Sequence, residues 1–460
     1  MIVGHFSHRL GFTSQVSLAI ALLGCMLTNP VAHAQFGTGI FRGVVGGVRV
    51  DAEGVVQTAT EQDRTGVLRQ LRNQVILPQG PIAESVKLRM VSLGKLQAEV
   101  ARAVAAGETL SDEVRYLAGL QRVEYLFVYP DRHDIVLAGP AEGWKVRDDA
   151  SVVGKTTGRP VLQLEDLLTA LRSVEASRQQ AITVSIDPTP EGEMRLRKVL
   201  GQFRSDAGFD PASVDAVMKQ AFGPQVVTLT TVPTTSRMAQ TLVGADFHMK
   251  CLAMNLEASP VAGLPSYMEM IRDGAAGGGT QPRWWMACEY DAIVRSEDGL
   301  AWQLTGQGVK ALTEEEFVDS AGVRSSAARK NKLAQKWSDL FTRKYDELCS
   351  HNAAFGDLRN VMDLNIIATL IAAHQMEQSA GLDLSLLSQD SEKLQTPEWH
   401  APKMVPPQCS FVRGRAGWTV SASGGVEINP WRVVKEQSKT DDSVKLVHEK
   451  AGQNAHWWWN

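Results

Sequence analysis

The chain has 460 residues, of which 44% are hydrophobic and 21% charged. These are the proportions of a globular chain with room for two or three ordinary domains, not of a disordered one. Its formal net charge of −4 gives no global reason to expect nucleic acid or an anionic membrane as partner, and no block of like charge is long enough to act as an interaction tail.

The first element is an address. His5, His8 and Arg9 precede an apolar stretch from Val16 to Leu27, and Ala32-His33-Ala34 stands before Gln35. A basic start, a short apolar middle and a small-residue cut are the order of a secretory signal. Residues 1–34 are expected to be removed between Ala34 and Gln35, placing the mature chain in the periplasm or outside the cell. The stretch is shorter than the roughly 20 residues that span a bilayer, and no later run approaches that length, so no transmembrane span is expected in the mature chain. A competing pattern, Leu22-Leu23-Gly24-Cys25, resembles the lipoprotein cleavage box and would instead anchor the chain by a lipid on Cys25.

Residues 35–107 begin with a Gly-rich flexible segment, Phe36 to Gly47. Val48-Arg49-Val50 and Val55-Val56 then flank a hairpin turn. Thr60 and Asp63 suggest a helix start, with Val67, Leu68, Leu71 and Val75 on one face. Pro81 is expected to open a long helix striped by Ile82, Val86, Met90, Leu93, Leu96, Val100 and Val104 and ended by Gly107. Ser111 caps a shorter helix.

Residues 108–258 alternate strands with helices, the pattern of a layered α/β domain. Expected strands are Glu124–Tyr129, Ile135–Ala138, Ala181–Ile186 and Val226–Val232. Expected helices are Leu164–Ser177, Glu191 to about Arg204, one starting at Asp210-Pro211, and one capped by Ser236. Residues 259–283, with Pro260, Pro265 and a Gly run, read as a linker. Residues 284–434 form an expected α+β domain. It has strands Trp284–Val294 and Ala301–Leu312, helices over 325–350 and 354–380, and short strands from Phe411. Residues 435–460 are a polar tail ending in Trp457-Trp458-Trp459. The fold class is mixed α/β (α+β).

Four cysteines follow the signal: Cys251, Cys288, Cys349 and Cys409. In an exported chain an even count allows two disulfides, with neighbour pairing, Cys251 to Cys288 and Cys349 to Cys409, closing the shorter loops. Buried free thiols are the alternative. No C-x-x-C spacing points to zinc, and neither a metal nor another cofactor is expected.

Chemistry-bearing clusters are sparse. Val153-Gly154-Lys155-Thr156-Thr157 has the end of a phosphate loop, but Asp149 stands where its first Gly is required. His374 and Glu377 lie one helical turn apart without a third ligand. Asp131, His133 and Asp134 crowd a predicted turn, a composition that turn formation alone explains. Asp187, Glu191 and Glu193 surround two prolines after a strand end, where ligands bind in layered α/β domains and paired carboxylates could serve a glycosidase-type site. The same acids would also complement a helix dipole. No G-x-S-x-G, H-E-x-x-H or Cys–His signature occurs. Trp457, Trp458 and Trp459 cannot all enter one core from a solvated tail, which makes them docking candidates.

The stretches Gly46–Val56, Pro130–Trp144 and Asp357–Leu364, with Gly424-Gly425-Val426-Glu427-Ile428-Asn429-Pro430, resemble a family of exported planctomycete proteins of unknown function. The resemblance implies export and a shared fold over nearly all of the mature chain, and it brings no catalytic residues. The residues themselves point to a non-enzymatic binding or assembly component of the bacterial cell envelope, with an extracytoplasmic protein or glycan as partner. The other expectation is a hydrolase of envelope polysaccharide or peptide using Asp187, Glu191, Asp131 or His133.

Overall fold

The structure, a computed structural model, describes residues 44–453 apart from 46–47, 51–55, 59–67, 70, 203–210, 274–280, 319–323, 327–331, 392–393, 415–416 and 421–422. Cys25, Ala34, Gln35, the Thr60–Asp63 helix start and the Trp457–Trp459 cluster lie outside the described residues. The fold is mixed α/β.

Strands β1 (Val44–Val45), β2 (Val48–Val50) and β3 (Val56–Thr58) form a small sheet in which Val50 faces Val56, the expected hairpin. The segment after Pro81 departs from expectation. A short 3-10 turn, Gly80–Ala83, leads into β4 (Val86–Ser92), and α1 (Leu93–Ala106) begins only where Ser92 Oγ accepts from Lys95 N at 3.0 Å. Val86 and Met90 are four apart, a spacing that serves one face of a helix and equally one face of a strand. Alternation of Val86, Leu88 and Met90 with Lys87 and Arg89 decides for the strand. Gly107, at φ 65°, ends α1 in the left-handed region.

After α2 (Asp112–Arg115), β5 (Tyr125–Tyr129) and β6 (Asp134–Ala141) pair as an antiparallel hairpin. A minor ribbon, β7 (Trp144–Val146) with β8 (Val152–Gly154), precedes α3 (Leu164–Gln179). Then come β9 (Ile182–Pro188), α4 (Pro190–Gln202), α5 (Pro211–Phe222), β10 (Gln225–Leu229) and α6 (Arg237–Ala253), each near its expected place. The segment expected as a linker carries α7 (Tyr267–Asp273) and buries Val261, Leu264 and Tyr267.

The two expected long strands each break in two. β11 (Gln281–Glu289) continues into β12 (Ala292–Arg295), and β13 (Ala301–Thr305) into β14 (Gly308–Val318). The breaks fall at Tyr290-Asp291 and at Gly306, whose φ of 89° few other residues adopt. One hairpin therefore serves two sheets. Its β11–β14 half lies in a seven-stranded sheet of order β15-β14-β11-β19-β9-β10-β16, and its β12–β13 half in a six-stranded sheet of order β20-β12-β13-β5-β6-β4. The added strands are β15 (Arg324–Ser326), β16 (Met404–Val405), β19 (Ser423–Ile428) and β20 (Ser438–Thr440); β17 (Phe411–Gly414) and β18 (Gly417–Val420) form a ribbon apart.

The expected helix over 325–350 is α8 (Lys332–Arg343) and α9 (Tyr345–His351), and the next is α10 (Ala353–Ala373) with α11 (Met376–Ala380). Short α12 (Ser385–Ser388), then α13 (Pro430–Gln437) and α14 (Ser443–Gly452), follow. α10 is buried along Ala353–Ile371 and packs on α3, α6 and α13. One continuous apolar core runs from Val91 through Leu167, Leu242, Trp284 and Leu364 to Val434, so β strands and helices on both sides of residues 259–283 share it. A second, smaller core lies on the six-stranded sheet, where Val444 and Ala451 of α14 cover Phe127, Tyr129, Val136 and Val294.

The expected disulfides are not formed. Cys251, Cys288, Cys349 and Cys409 are free and buried. Each sits in its own surroundings: Cys251 Sγ accepts from Gln408 Nε2 at 3.0 Å, while Cys288 lies on β11 and Cys349 on α9.

Candidate functional site

The candidate residues of the sequence are dispersed. Asp131 lies in an exposed 3-10 turn, and His133 follows it at φ 51°. Asp134 turns inward, its Oδ1 accepting from Gly94 N at 3.1 Å and Ile135 N at 2.9 Å. It thus sits against the positive end of α1, and burial pushes its carboxyl above the usual carboxylate range. His133 and Asp134 border a cleft with Ser92, Lys95 and Leu382, but Asp131 does not line it. Asp187, at the end of β9, pairs with Arg283 at 3.6 Å, whereas Glu191 is exposed in the first turn of α4. Glu377 accepts from Leu384 N at 2.8 Å and so closes a turn.

The phosphate-loop resemblance has a structural explanation. Buried Glu142 places its carboxylate inside that loop, where Thr157 N (2.8 Å), Thr157 Oγ1 (2.6 Å) and Thr156 N (3.1 Å) donate to it, as does Gln121 Nε2 at 2.8 Å. Burial raises its pKa, but the donors outweigh burial and hold it below the ordinary glutamate value. The loop cradles an anion, and the anion is the protein's own.

A basic cleft of about 730 Å³ lies where the ends of α3, α10 and α13 meet β12, β13 and β20. Arg178 comes from the last turn of α3, Arg295 from β12, Arg432 and Lys435 from α13, and Lys439 from β20; Glu436 is the one acid on the lining. Two indoles hold this charge in place. The Arg178 guanidinium lies 4.8 Å from the Trp431 ring, and that of Arg295 lies 5.7 Å from Trp302. The rings are themselves fixed, Trp431 Nε1 donating to Val174 O at 3.0 Å and Trp302 Nε1 to Gly299 O at 3.1 Å. Each stack contributes on the order of 0.5–2 kcal/mol. Acids near the rim reach the cations only loosely, Glu175 at 3.9 Å from Arg178 and Glu427 at 3.8 Å from Arg432, and such exposed pairs are weak.

His374, at the end of α10, packs against Trp302 with ring centroids 4.4 Å apart. Burial, and then the Arg295 charge, lower its pKa, so at neutral pH it faces the cleft uncharged. Sequence reasoning had weighed His374 as a metal ligand and placed position 302 only within an expected strand. Arg178, Trp431 and Arg432 escaped it because they lie far apart along the chain; the run Trp431-Arg432 with Lys435 at helical spacing was their only local signal.

Toward the opposite ends of α3 and α10, the central helices bury ionic groups. Arg237 on α6 pairs with Asp166 on α3 and, at 3.0 Å, with Asp357 on α10. Nearby Glu165 accepts from Trp399 Nε1 at 2.6 Å. Burial, with more than one carboxyl competing for a single guanidinium, pushes Asp166 up to about 7. Lys250 joins Asp246 at 2.8 Å and also donates to Ile186 O and Gly424 O, tying α6 to β9 and β19.

Among the described residues, no group of three or more His, Cys, Asp or Glu side chains could hold a metal ion, and no helix is long and apolar enough to cross a membrane. No curated protein and no solved structure matches the chain. Residues 184–267, from β9 to the first residue of α7, match the model of an uncharacterised domain family described as a protein of unknown function (DUF1598); the segment contains Arg237, Asp246 and Lys250, while the cleft residues lie outside it.

Proposed function

We propose that this protein is a non-enzymatic, exported binding component of the cell envelope whose basic cleft takes an anionic ligand. The observation that carries the reading is the convergence of Arg178, Arg295, Arg432, Lys435 and Lys439 on one cleft of a chain whose net charge is −4. Guanidinium groups stacked on fixed indoles are preorganised, so a ligand carboxylate, sulfate or phosphate meets donors whose ordering cost is already met. Export is supported by the basic, apolar and Ala32-His33-Ala34 segments of the leader.

The test is calorimetric titration of the mature chain with short polyanions, hexaglutamate and trigalacturonate, against their neutral counterparts. One of the anions should bind, and more weakly as salt rises. The Arg178→Ala/Arg432→Ala double variant should lose about tenfold or more in affinity with unchanged circular dichroism. Equal affinity for neutral and anionic probes, or no effect of the double variant, would remove the cleft from the function.

A further inference from the structure

We propose that the ligand of the basic cleft is an acidic polypeptide segment, bound in extended form as an added strand along the open edge of β20. The inference rests on the anion-binding reading of the cleft and adds the ligand's class and form. β20 is the outermost strand of the six-stranded sheet and, among the described residues, pairs on one side only, parallel to β12, with Val294 opposite Lys439 and Arg295 opposite Thr440. The bond from Asp441 N to Arg295 O at 2.9 Å sets the phase of this ladder. Main-chain groups alternate in direction along a strand, so those of Lys439 address β12 and the N–H and C=O of Thr440 point to the open side. Ser438, Lys439 and Thr440 are exposed and line the cleft. A row of strand-pairing groups and a concentration of positive charge thus occupy the same cleft.

Strand addition supplies main-chain affinity, and flanking side chains supply selection. Lys435, Lys439 and Arg432 select acidic side chains and repel basic ones. Lysines on an edge also discourage pairing with unselected strands. A saccharide is less well served by the walls: Trp302 is 1% exposed, and the Trp431 ring carries the Arg178 guanidinium. Trp302 therefore offers no free face on which a sugar ring could stack, and one face of Trp431 is taken.

The experiment titrates the mature chain at low salt with three probes. They are a capped octapeptide of alternating Glu and Val, the same peptide N-methylated at alternate residues on the edge-facing side, and oligogalacturonate. The octapeptide is expected to bind, N-methylation to weaken it about tenfold or more, and Thr440→Pro, which removes the outward N–H without changing charge, to do the same. Equal binding of the methylated and unmethylated peptides overturns strand addition and leaves the anion site standing. Binding of oligogalacturonate without the peptide overturns the peptide class alone. Failure of all three probes overturns this inference and the anion-site reading together.

Discussion

Glu142 is a residue whose role depends wholly on what surrounds it. Its carboxylate satisfies the Thr156 and Thr157 amides that a phosphate would otherwise need to satisfy. Glu142→Ala leaves buried Gln121 and the loop amides without their charged acceptor and should lower the unfolding free energy by about 1–2 kcal/mol in denaturant titration, with Glu142→Gln costing less. A loss under about 0.5 kcal/mol would mean that water replaces the carboxylate readily. The Gly-Lys-Thr-Thr run was legible in the chain, and the absence of the first loop glycine argued against nucleotide; that a glutamate twelve residues upstream of Gly154 fills the loop was not, because side-chain contacts between turns leave no periodic trace. Asp166 makes the same point in the core. Its folded pKa of about 7 lies above the ordinary value of an unfolded aspartate, so the native state holds this proton more tightly. The contribution to stability is then greatest at low pH and is lost as pH rises through roughly 4 to 7. Asp166→Asn should flatten that part of the stability–pH curve; an unchanged slope would assign the effect to other groups.

At the scale of elements, the Ser111 and Ser236 caps were readable, whereas the Ser92 cap and sheet membership were not. Ser92, Ser111 and Ser236 each accept a hydrogen bond from the first turn of the helix they precede. Ser92→Ala removes both the α1 cap and a hydrogen bond to buried Asp134 and should cost about 1–2 kcal/mol, measurable as a shift in the denaturation midpoint without change of slope. The strand over Val86–Ser92 was hidden because its apolar positions also fit a helical stripe, and the hairpin spanning two sheets was hidden because Tyr290 and Gly306 act through distant partners. The polar tail was misjudged for a similar reason. Val444, Val447 and Ala451 recur at helical spacing, and α14 lays them on the β5 aromatics, with the His448 ring stacked 4.3 Å from that of Tyr129. Val444→Asp should place a charge in that small core, cost about 2–4 kcal/mol and expose the Phe127 face to a hydrophobic dye. Wild-type stability in this variant would show that α14 contributes little to the sheet. The cleft was the least legible feature, since its cations come from four elements that only the finished packing brings together.

For the molecule as a whole, the buried thiols give a direct reading of how cooperatively it opens. Burial raises the pKa of Cys251, Cys288, Cys349 and Cys409; the first three belong to the shared core, and Cys409 is buried outside it. A thiol reagent should leave all four unlabelled in the native chain and label all four in one phase above the denaturation midpoint. Labelling of Cys251 well before or well after the other three would show that the two sides of residues 259–283 open separately. The common core favours the single phase.

β19 has a consequence for biosynthesis. This strand, Ser423–Ile428, occupies the middle of the seven-stranded sheet, parallel to β11 and antiparallel to β9. Until it arrives, β9 and β11 have no common neighbour and the interior between them cannot close. The central sheet therefore closes only once residues 423–428 have left the ribosome, and a nascent chain that stops short of them stays unlocked. Until then the polypeptide remains threadable, the state that the proposed export would require of it.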